Sequence, residues 1–308
     1  MPSFPSFLTF SPAVRSALES GSPVVALEST VLTHGLPYPQ NLQVLRALED
    51  ILLNAGVTPA TIIVLDSQAH IGLEESLAEE LAPRFKEPGS FAKLGARDLA
   101  TAFARSLSGG TTVSATMQLA ALSGIEIFAT GGIGGVHRGW NKTLDISTDL
   151  TALSQIPVAV VSAGCKAVLD ISATLECLET LGVPVLGWQC ERFPLFYTRE
   201  SDYPIDRIDS AEQFASFWHA HKELGGKGVL IANPIPAEAE IPGKEIGPQI
   251  EVALFEAQAK GISGKALTPF LLDYLAQATK GGSVEANLAL LKNNVRLASE
   301  LALALQRH

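Results

Sequence analysis

Six short runs rich in β-branched residues, at 24–27, 61–65, 125–129, 158–162, 183–188 and 229–232, recur along the chain with helix-length segments between them. Strands separated by helical crossovers signal parallel pairing, which tight hairpins cannot make. The runs are almost continuously apolar rather than alternating, so both faces of their sheet must be covered. This predicts an α/β fold, a three-layer α/β/α sandwich around a mostly parallel or mixed central sheet. Leu42, Leu45, Leu48, Ile51 and Leu52 recur at helical spacing ahead of Gly56, Ser210-Ala-Glu-Gln213 has capping-box spacing before another helix, and 283–305 has the pattern of one long amphipathic helix. No internal repeat or low-complexity linker divides the 308 residues. One domain is expected over 1–308, with residues 1–10 an unordered tail and 234–248 a flexible excursion.

A net charge of -10 speaks against nucleic acid as a partner, because phosphate-backbone binding needs a basic face. A small anionic substrate would need a local basic cluster instead. The three cysteines, Cys165, Cys177 and Cys190, show no C-x-x-C pairing, which argues against a disulfide framework and suits a reduced, cytoplasmic setting. No apolar window reaches the length of a membrane span, and Met1-Pro-Ser-Phe-Pro lacks a positive n-region, so neither a span nor an export signal is expected.

Ligands of such folds bind beyond the carboxyl ends of the strands. Here those ends carry Glu28, Asp66, Thr130 with its following glycines, Ser162 to Lys166, and Asn233. The segment Thr130-Gly-Gly-Ile-Gly-Gly-Val-His-Arg-Gly139 is dense enough in glycine for its backbone to approach a ligand closely, with a mobile surface loop as the alternative. It fails the dinucleotide register, since His137 stands where the third glycine of G-x-G-x-x-G belongs, and no P-loop occurs. Asp145-x-Ser147-x-Asp149 opens like a calcium loop but has Leu150 at the turn glycine and Ile156 at the bidentate Glu. A carboxylate with waters would suit Mg²⁺ or Mn²⁺ beside a phosphorylated substrate; alternatively Ser147 or Thr148 caps the next helix.

Lys166, just past a strand in Ala163-Gly-Cys-Lys166-Ala, has small and apolar neighbours that disfavour an ammonium and leave an amine able to attack a carbonyl. The alternative is an ordinary lysine in a helix's first turn. Cys165 beside it fits a buried filler better than a nucleophile. Glu28 closes an apolar strand and is a candidate general acid, or else caps a loop. His34 and His137 are candidate polar contacts, while His219 and His221, at i and i+2, do not share a helix face and are expected to be solvated. Lys93, Arg138 and Lys142 offer positive charge for phosphate.

Taken together, these segments resemble the pseudouridine-5'-phosphate glycosidase family, also called the indigoidine synthase A family. The resemblance is carried by Val24-Val-Ala-Leu-Glu-Ser-Thr30, Thr33-His-Gly-Leu-Pro-Tyr-Pro-Gln-Asn41, Thr111-Thr-Val-Ser-Ala-Thr-Met117, the glycine segment, Asp145-Ile-Ser-Thr-Asp149, Ala163-Gly-Cys-Lys166, Leu178-Glu-Thr-Leu-Gly-Val-Pro184, Ile231-Ala-Asn-Pro-Ile-Pro236 and Thr268-Pro-Phe-Leu-Leu272, in family order from about residue 11 onward. It implies reversible cleavage of the C–C glycosidic bond of pseudouridine 5'-phosphate to uracil and ribose 5-phosphate by a trimeric α/β/α enzyme holding one Mn²⁺ per subunit. By motif position Lys166 would form an imine with the ring-opened sugar, Glu28 would protonate the departing uracil, and Asp145 would hold the metal. Lys93, Val113, Ser147, Thr148 and Asp149 would bind substrate, with Thr130, His137 and Asn287 as further contacts.

The residue types suit that chemistry. A C-glycoside has no heteroatom leaving group at the sugar carbon, so the paired carboxylates of ordinary glycosidases do not suffice and an electron sink such as a protonated imine is needed. The chain departs from the family pattern at Asp66-Ser-Gln-Ala-His70, at Cys165 and Ala167 around the lysine, and at Trp188-Gln-Cys190. Two rival functions share part of the set. A Schiff-base lyase acting on another phospho-sugar would keep Lys166 and the metal without recognising uracil, and a non-enzymatic ribose-phosphate sensor would have no use for Glu28 with Lys166.

Overall fold

The computed structural model describes residues 4–36, 38–87, 89–199, 201–262, 264 and 267–307, apart from the side chain of Thr268. Pro37, inside one of the segments quoted above, and Met1 to Ser3 of the expected tail lie outside the described residues. Eleven strands build one sheet: β1 (Leu8–Phe10), β2 (Val24–Glu28), β3 (Thr58–Leu65), β4 (Gln68–Ile71), β5 (Ala92–Leu94), β6 (Gly109–Thr111), β7 (Ile127–Ala129), β8 (Ala159–Ser162), β9 (Val185–Trp188), β10 (Asp206–Ile208) and β11 (Val229–Ala232). Their order is β1-β4-β3-β2-β7-β8-β11-β9-β10, with β6 on β3 and β5 on β6. Among the described residues only β3 with β4 and β3 with β6 pair antiparallel within this sheet.

The register positions the site. Leu27 lies opposite Ala129, and Ala129 opposite Val161, so Glu28, Thr130 and Ser162 stand in one row at the carboxyl edge of the central strands. Helices cover both faces, as the continuously apolar strands require. Gly282–Arg307 packs over β2, β7 and β8 with Gln40–Asn54 and Ala211–Glu223 beside it, while Val113–Leu122 packs on β2, β3 and β7 against Thr148–Gln155. Val113–Leu122 is buried around most of its circumference, which explains why it lacks an amphipathic pattern.

The buried polar groups behind Glu28 are hydroxyls with partners. Ser29 and Thr111, both fully buried, donate to the Ile62 carbonyl at 2.6 and 2.7 Å, and Thr116 donates to Thr111 at 2.9 Å. This cluster ties the exit of β2 to β3 and β6, immediately behind Glu28, at little desolvation cost because each group is satisfied.

Four expectations need correction. Leu8–Phe10, in the expected tail, is strand β1, paired in parallel with β4 through Leu8 opposite Ala69. Asp66 and Ser67 have φ of 46° and 73°, the two positive angles of a tight hairpin turn, so the departure at 66–70 is a turn leading into β4, which is paired on both sides by β1 and β3, rather than a ligand-binding strand end. Residues 234–248 are not a loose excursion: Ala237–Ala239 forms a 3₁₀ turn and Gly243–Ala259 a helix. His219 and His221 are half-buried rather than solvated, and His221 stacks on Phe217 with ring centroids 5.4 Å apart.

Glu49, on helix Gln40–Asn54, accepts a 2.6 Å hydrogen bond from the buried Thr61 hydroxyl. Burial pushes its carboxyl up to about 7, with Asp50 adding to the shift and Thr61 and Arg46 opposing it. The folded chain therefore keeps a proton that the unfolded chain loses above its ordinary value of 4.5. The stability this group contributes is fully present below that value and is lost as pH rises through 7. The loss should amount to at most about 3 kcal/mol. Thermal melts across this range should show a decline in wild type that Glu49→Gln flattens.

Candidate active site

Three of the strand ends open into one cleft. Glu28 from β2, Thr130 after β7 and Lys166 after β8 line it, together with Lys93 from β5 and Asn287 from helix Gly282–Arg307. Lys93 and Lys166 are the cations of its wall, so a local positive cluster does sit within this acidic protein. Arg138 and Lys142, also expected to serve phosphate, do not line it: Arg138 is ion-paired with Glu251 and Lys142 is exposed. Asp66 is likewise absent from the wall, its carboxylate accepting from Ser108 at 2.9 Å. The opposite wall is apolar, built from Leu45, Leu48, Pro269, Leu272 and Leu291.

Both oxygens of the half-buried Glu28 are engaged. Thr30 donates to Oε2 and Thr130 to Oε1. Lys166 is half-buried, and its backbone N–H donates to the Ile133 carbonyl at 3.1 Å, while the Ile133 N–H donates to Gly164 at 3.1 Å. The glycine segment is thus stitched to the strand exit that carries the lysine. Residues 131–136 are all buried, which excludes the mobile surface loop. Gly131 and Gly132 bring backbone to the wall of the cleft, and the glycines also serve packing. A Cβ on Gly132 would lie 2.7 Å from the Phe196 ring, and one on Gly134 would lie 2.3 Å from Ser147 Oγ, so protein side chains fill the space beside both. Cys165 is fully buried, and burial pushes its thiol up to about 12, which confirms it as packing.

The remaining predicted residues stand around the cleft rather than in its wall. Val113 is buried in the first turn of its helix. Ser147 caps helix Thr148–Gln155, accepting from the Asp149 N–H at 3.2 Å, so the capping alternative is realised. The exposed Thr148 hydroxyl lies 3.2 Å from Ser114 Oγ. Asp149 is 5% exposed and accepts from the Ser114 N–H at 3.0 Å and the Gly134 N–H at 2.8 Å. Its carboxylate clamps the glycine segment to the start of helix Val113–Leu122.

His137 and Asp145 are adjacent, the His137 N–H donating to the Asp145 carbonyl at 3.0 Å. Burial pushes the His137 imidazole below the ordinary histidine range; Asp145 opposes this, and Lys166 and Lys93 reinforce it. Among the described residues no group of three or more His, Cys, Asp or Glu gathers. A cation at the half-buried Asp145 would therefore draw most of its ligands from water and substrate, a donor set that fits Mg²⁺ or Mn²⁺.

Wall residues that escaped sequence reading include Thr30, Thr112 and Phe196 besides the apolar wall. Phe196 is 4% exposed, and its φ of 66° is costly for an aromatic residue. Nothing in Phe193-Pro-Leu-Phe196 marks it; Thr30 follows the acid by two residues, a spacing that could have flagged it.

A lysine and a glutamate that line one cleft at the carboxyl edge of an α/β/α sheet are side chains of the kind that covalent acid–base chemistry on a small substrate employs. The chain belongs to the indigoidine synthase A family: the family described as "Indigoidine synthase A like protein" matches residues 13–304. Similar curated proteins named pseudouridine-5'-phosphate glycosidase include one from Methylobacterium nodulans, 50% identical over 97% of this chain and 88% of its own. Another, from Caldanaerobacter subterraneus, is 49% identical over 98% and 97%. Among solved structures, the prealnumycin C-glycosynthase AlnA in complex with ribulose 5-phosphate superposes with a TM-score of 0.90 at 36% identity, covering 98% of both chains. An indigoidine synthase A-like protein from Thermotoga maritima gives 0.88 at 36% identity, covering 98% and 97%.

Asp149→Ala would strand two buried backbone N–H groups, so denaturant unfolding should show a loss of about 3 kcal/mol. Turnover should fall as well, although Asp149 is not part of the cleft wall.

Proposed function

We propose that this chain is an enzyme that reversibly cleaves the C–C glycosidic bond of pseudouridine 5'-phosphate to uracil and ribose 5-phosphate. The observation that carries the reading is the pairing of Lys166 with Glu28 in one cleft, in a chain about half identical to relatives bearing that name. The Lys166 amine bonds to C1' of the sugar as the C1'–O4' bond breaks, and the ring oxygen takes the proton that the nitrogen gives up. The nitrogen lone pair then forms the C=N⁺ bond, acting as an electron donor rather than as the expected sink, the C1'–base bond pair leaves with the base, and the base carbon takes the proton from Glu28. Water hydrolyses the imine to ribose 5-phosphate and restores the amine.

Lys93, half-buried in the wall, is suited to the phosphate, with Val113, Ser147, Thr148 and Asp149 shaping the adjoining loop ends. His137 and Asn287 are further substrate contacts, and the apolar wall receives the base. Asp145 would hold Mn²⁺, which when bound supplies positive charge for the phosphorylated substrate. A homotrimer belongs to the same proposal. It is supported by exposed apolar surface near the site, with Leu144 75% and Phe255 70% exposed beside the Arg138 to Glu251 bridge. A cytoplasmic setting suits the three free cysteines, and no helix among the described residues is long and apolar enough to cross a membrane.

The test is uracil release from pseudouridine 5'-phosphate, measured beside other sugar phosphates and nucleotides. Turnover with the other phospho-sugars alone would favour a Schiff-base lyase, and ligand binding without any turnover would favour a sensor. Borohydride with ribose 5-phosphate should fix the sugar on Lys166, and Lys166→Ala should cut turnover about 10³-fold or more; an adduct at another residue would refute the assignment. Asp145→Ala should abolish stimulation by Mn²⁺, whereas full wild-type activity under chelation would remove the metal from the proposal.

A further inference from the structure

Glu28 must present its proton to one carbon of a departing base, yet its side chain has three rotatable bonds and leaves the sheet at a strand end, where the strand no longer confines it. What confines it is a pair of hydroxyls from two different strand exits: Thr30 beyond β2 donates to Oε2, and Thr130 beyond β7 donates to Oε1. Threonine suits this purpose because branching at Cβ stiffens χ1. We propose that Thr30 and Thr130 are positioning residues for Glu28, with the buried amides Asn294 and Asn233 holding the Thr130 arm in place. The inference rests on the glycosidase reading above, in which Glu28 is the proton donor.

Both arms are anchored. Thr30 begins the wide helical turn Val31–Gly35, whose Leu32 and Thr33 N–H groups donate to the Ser29 carbonyl at 3.0 and 3.1 Å, and the Asn41 amide donates to the Leu32 carbonyl at 2.7 Å. Thr130 donates its N–H to Val161 at 3.0 Å, and its carbonyl accepts from Asn294 Nδ2 at 2.8 Å. Asn294 Oδ1 accepts in turn from Asn233 Nδ2 at 3.0 Å.

The amides are the telling part. Asn294 is 0% exposed on a helix face otherwise made of Leu290, Leu291, Val295, Leu297 and Ala298. An amide in such a place is costly unless its groups are paired, and an aliphatic side chain would fill the space without that cost. Its hydrogen bonds reach the Thr130 carbonyl and, at 3.4 Å, that of Gly131, the two residues that lead into the glycine segment. Packing of the helix does not call for this amide; fixing the Thr130 backbone does.

The chemistry gives the hydroxyls a second effect. As the proton passes from Glu28 to the base carbon, the bond pair leaving C1' settles on that carbon and negative charge stays on Glu28. Hydrogen bonds to an ionised acceptor are stronger than to a neutral one, so both hydroxyls bind the group more tightly as the transfer proceeds. They should therefore act on kcat and leave substrate affinity alone.

The experiment uses the full-length protein with Thr30→Val, Thr130→Val and the matching serine variants, which keep a hydroxyl. Each valine should lower kcat for uracil release about 10- to 100-fold with KM changed by less than about twofold. Serine should recover most of the loss, and borohydride capture of ribose 5-phosphate on Lys166 should persist in every variant, since imine formation does not need Glu28 to be aimed. Wild-type kcat in both valine variants, a rise in KM in place of the fall in kcat, or serine no better than valine would overturn the positioning roles. Absence of both turnover and capture in the unmutated protein would instead refute the glycosidase reading, and the positioning roles with it.

Discussion

The ribbon from Thr130 to Val136 is hydrogen-bonded to structure on every side, and the geometry of the site depends on those bonds. Thr130 and Ile133 donate to the exit of β8, Ala163 and Lys166 donate back, Gly134 is bound by Asp149 and Val136 by Thr174. Lys166 is in consequence fixed through its backbone, with its amine left to the cleft. A ribbon gripped this closely has no room for side chains at Gly132 or Gly134, where Phe196 and Ser147 fill the space. Bare backbone here allows dense packing, and dense packing removes play from the reacting groups.

The same logic governs the polar interior. Ser29, Thr61, Thr111, Thr116, Asn233 and Asn294 are all within 4% of full burial, and each has a partner within the fold. Satisfied neutral groups hold direction without the desolvation penalty of buried ions. Lys93 and Lys166 bring positive charge to the cleft of a chain whose net charge is -10, a contrast that draws anions to one opening.

The six strands of the central sheet were legible because continuous β-branched runs at parallel spacing leave few alternatives, and β2, β3, β7, β8, β9 and β11 stand within three residues of where the runs place them. The strands that escaped, β1, β4, β5, β6 and β10, are of three or four residues, and β6 is Gly-Gly-Thr; their strand state comes from pairing with a neighbour rather than from their own side chains. Helix boundaries followed where a cap was written out, as at Ser210, whose hydroxyl accepts from the Gln213 N–H. In the site, strand-end position alone brought Glu28, Thr130 and Lys166 together. Family motif position added Asn287, which no local pattern marks, and singled out Lys93 from Arg138 and Lys142, the other cations considered for phosphate. It also grouped Asp149 with ligand contacts, whereas the carboxylate is spent on backbone; composition cannot distinguish an acid facing a cleft from one facing a loop. Phe196 was invisible because its position depends on a left-handed backbone angle and on Gly132, 64 residues away in sequence.

Helix Gly282–Arg307 supplies Asn287 and Leu291 to the cleft and Asn294 to the ribbon, so the order in which the chain is made acquires chemical meaning. A ribosome must deliver residues 282–307 before Lys166, made long before them, has a finished enclosure. Until then the lysine side chain faces open water.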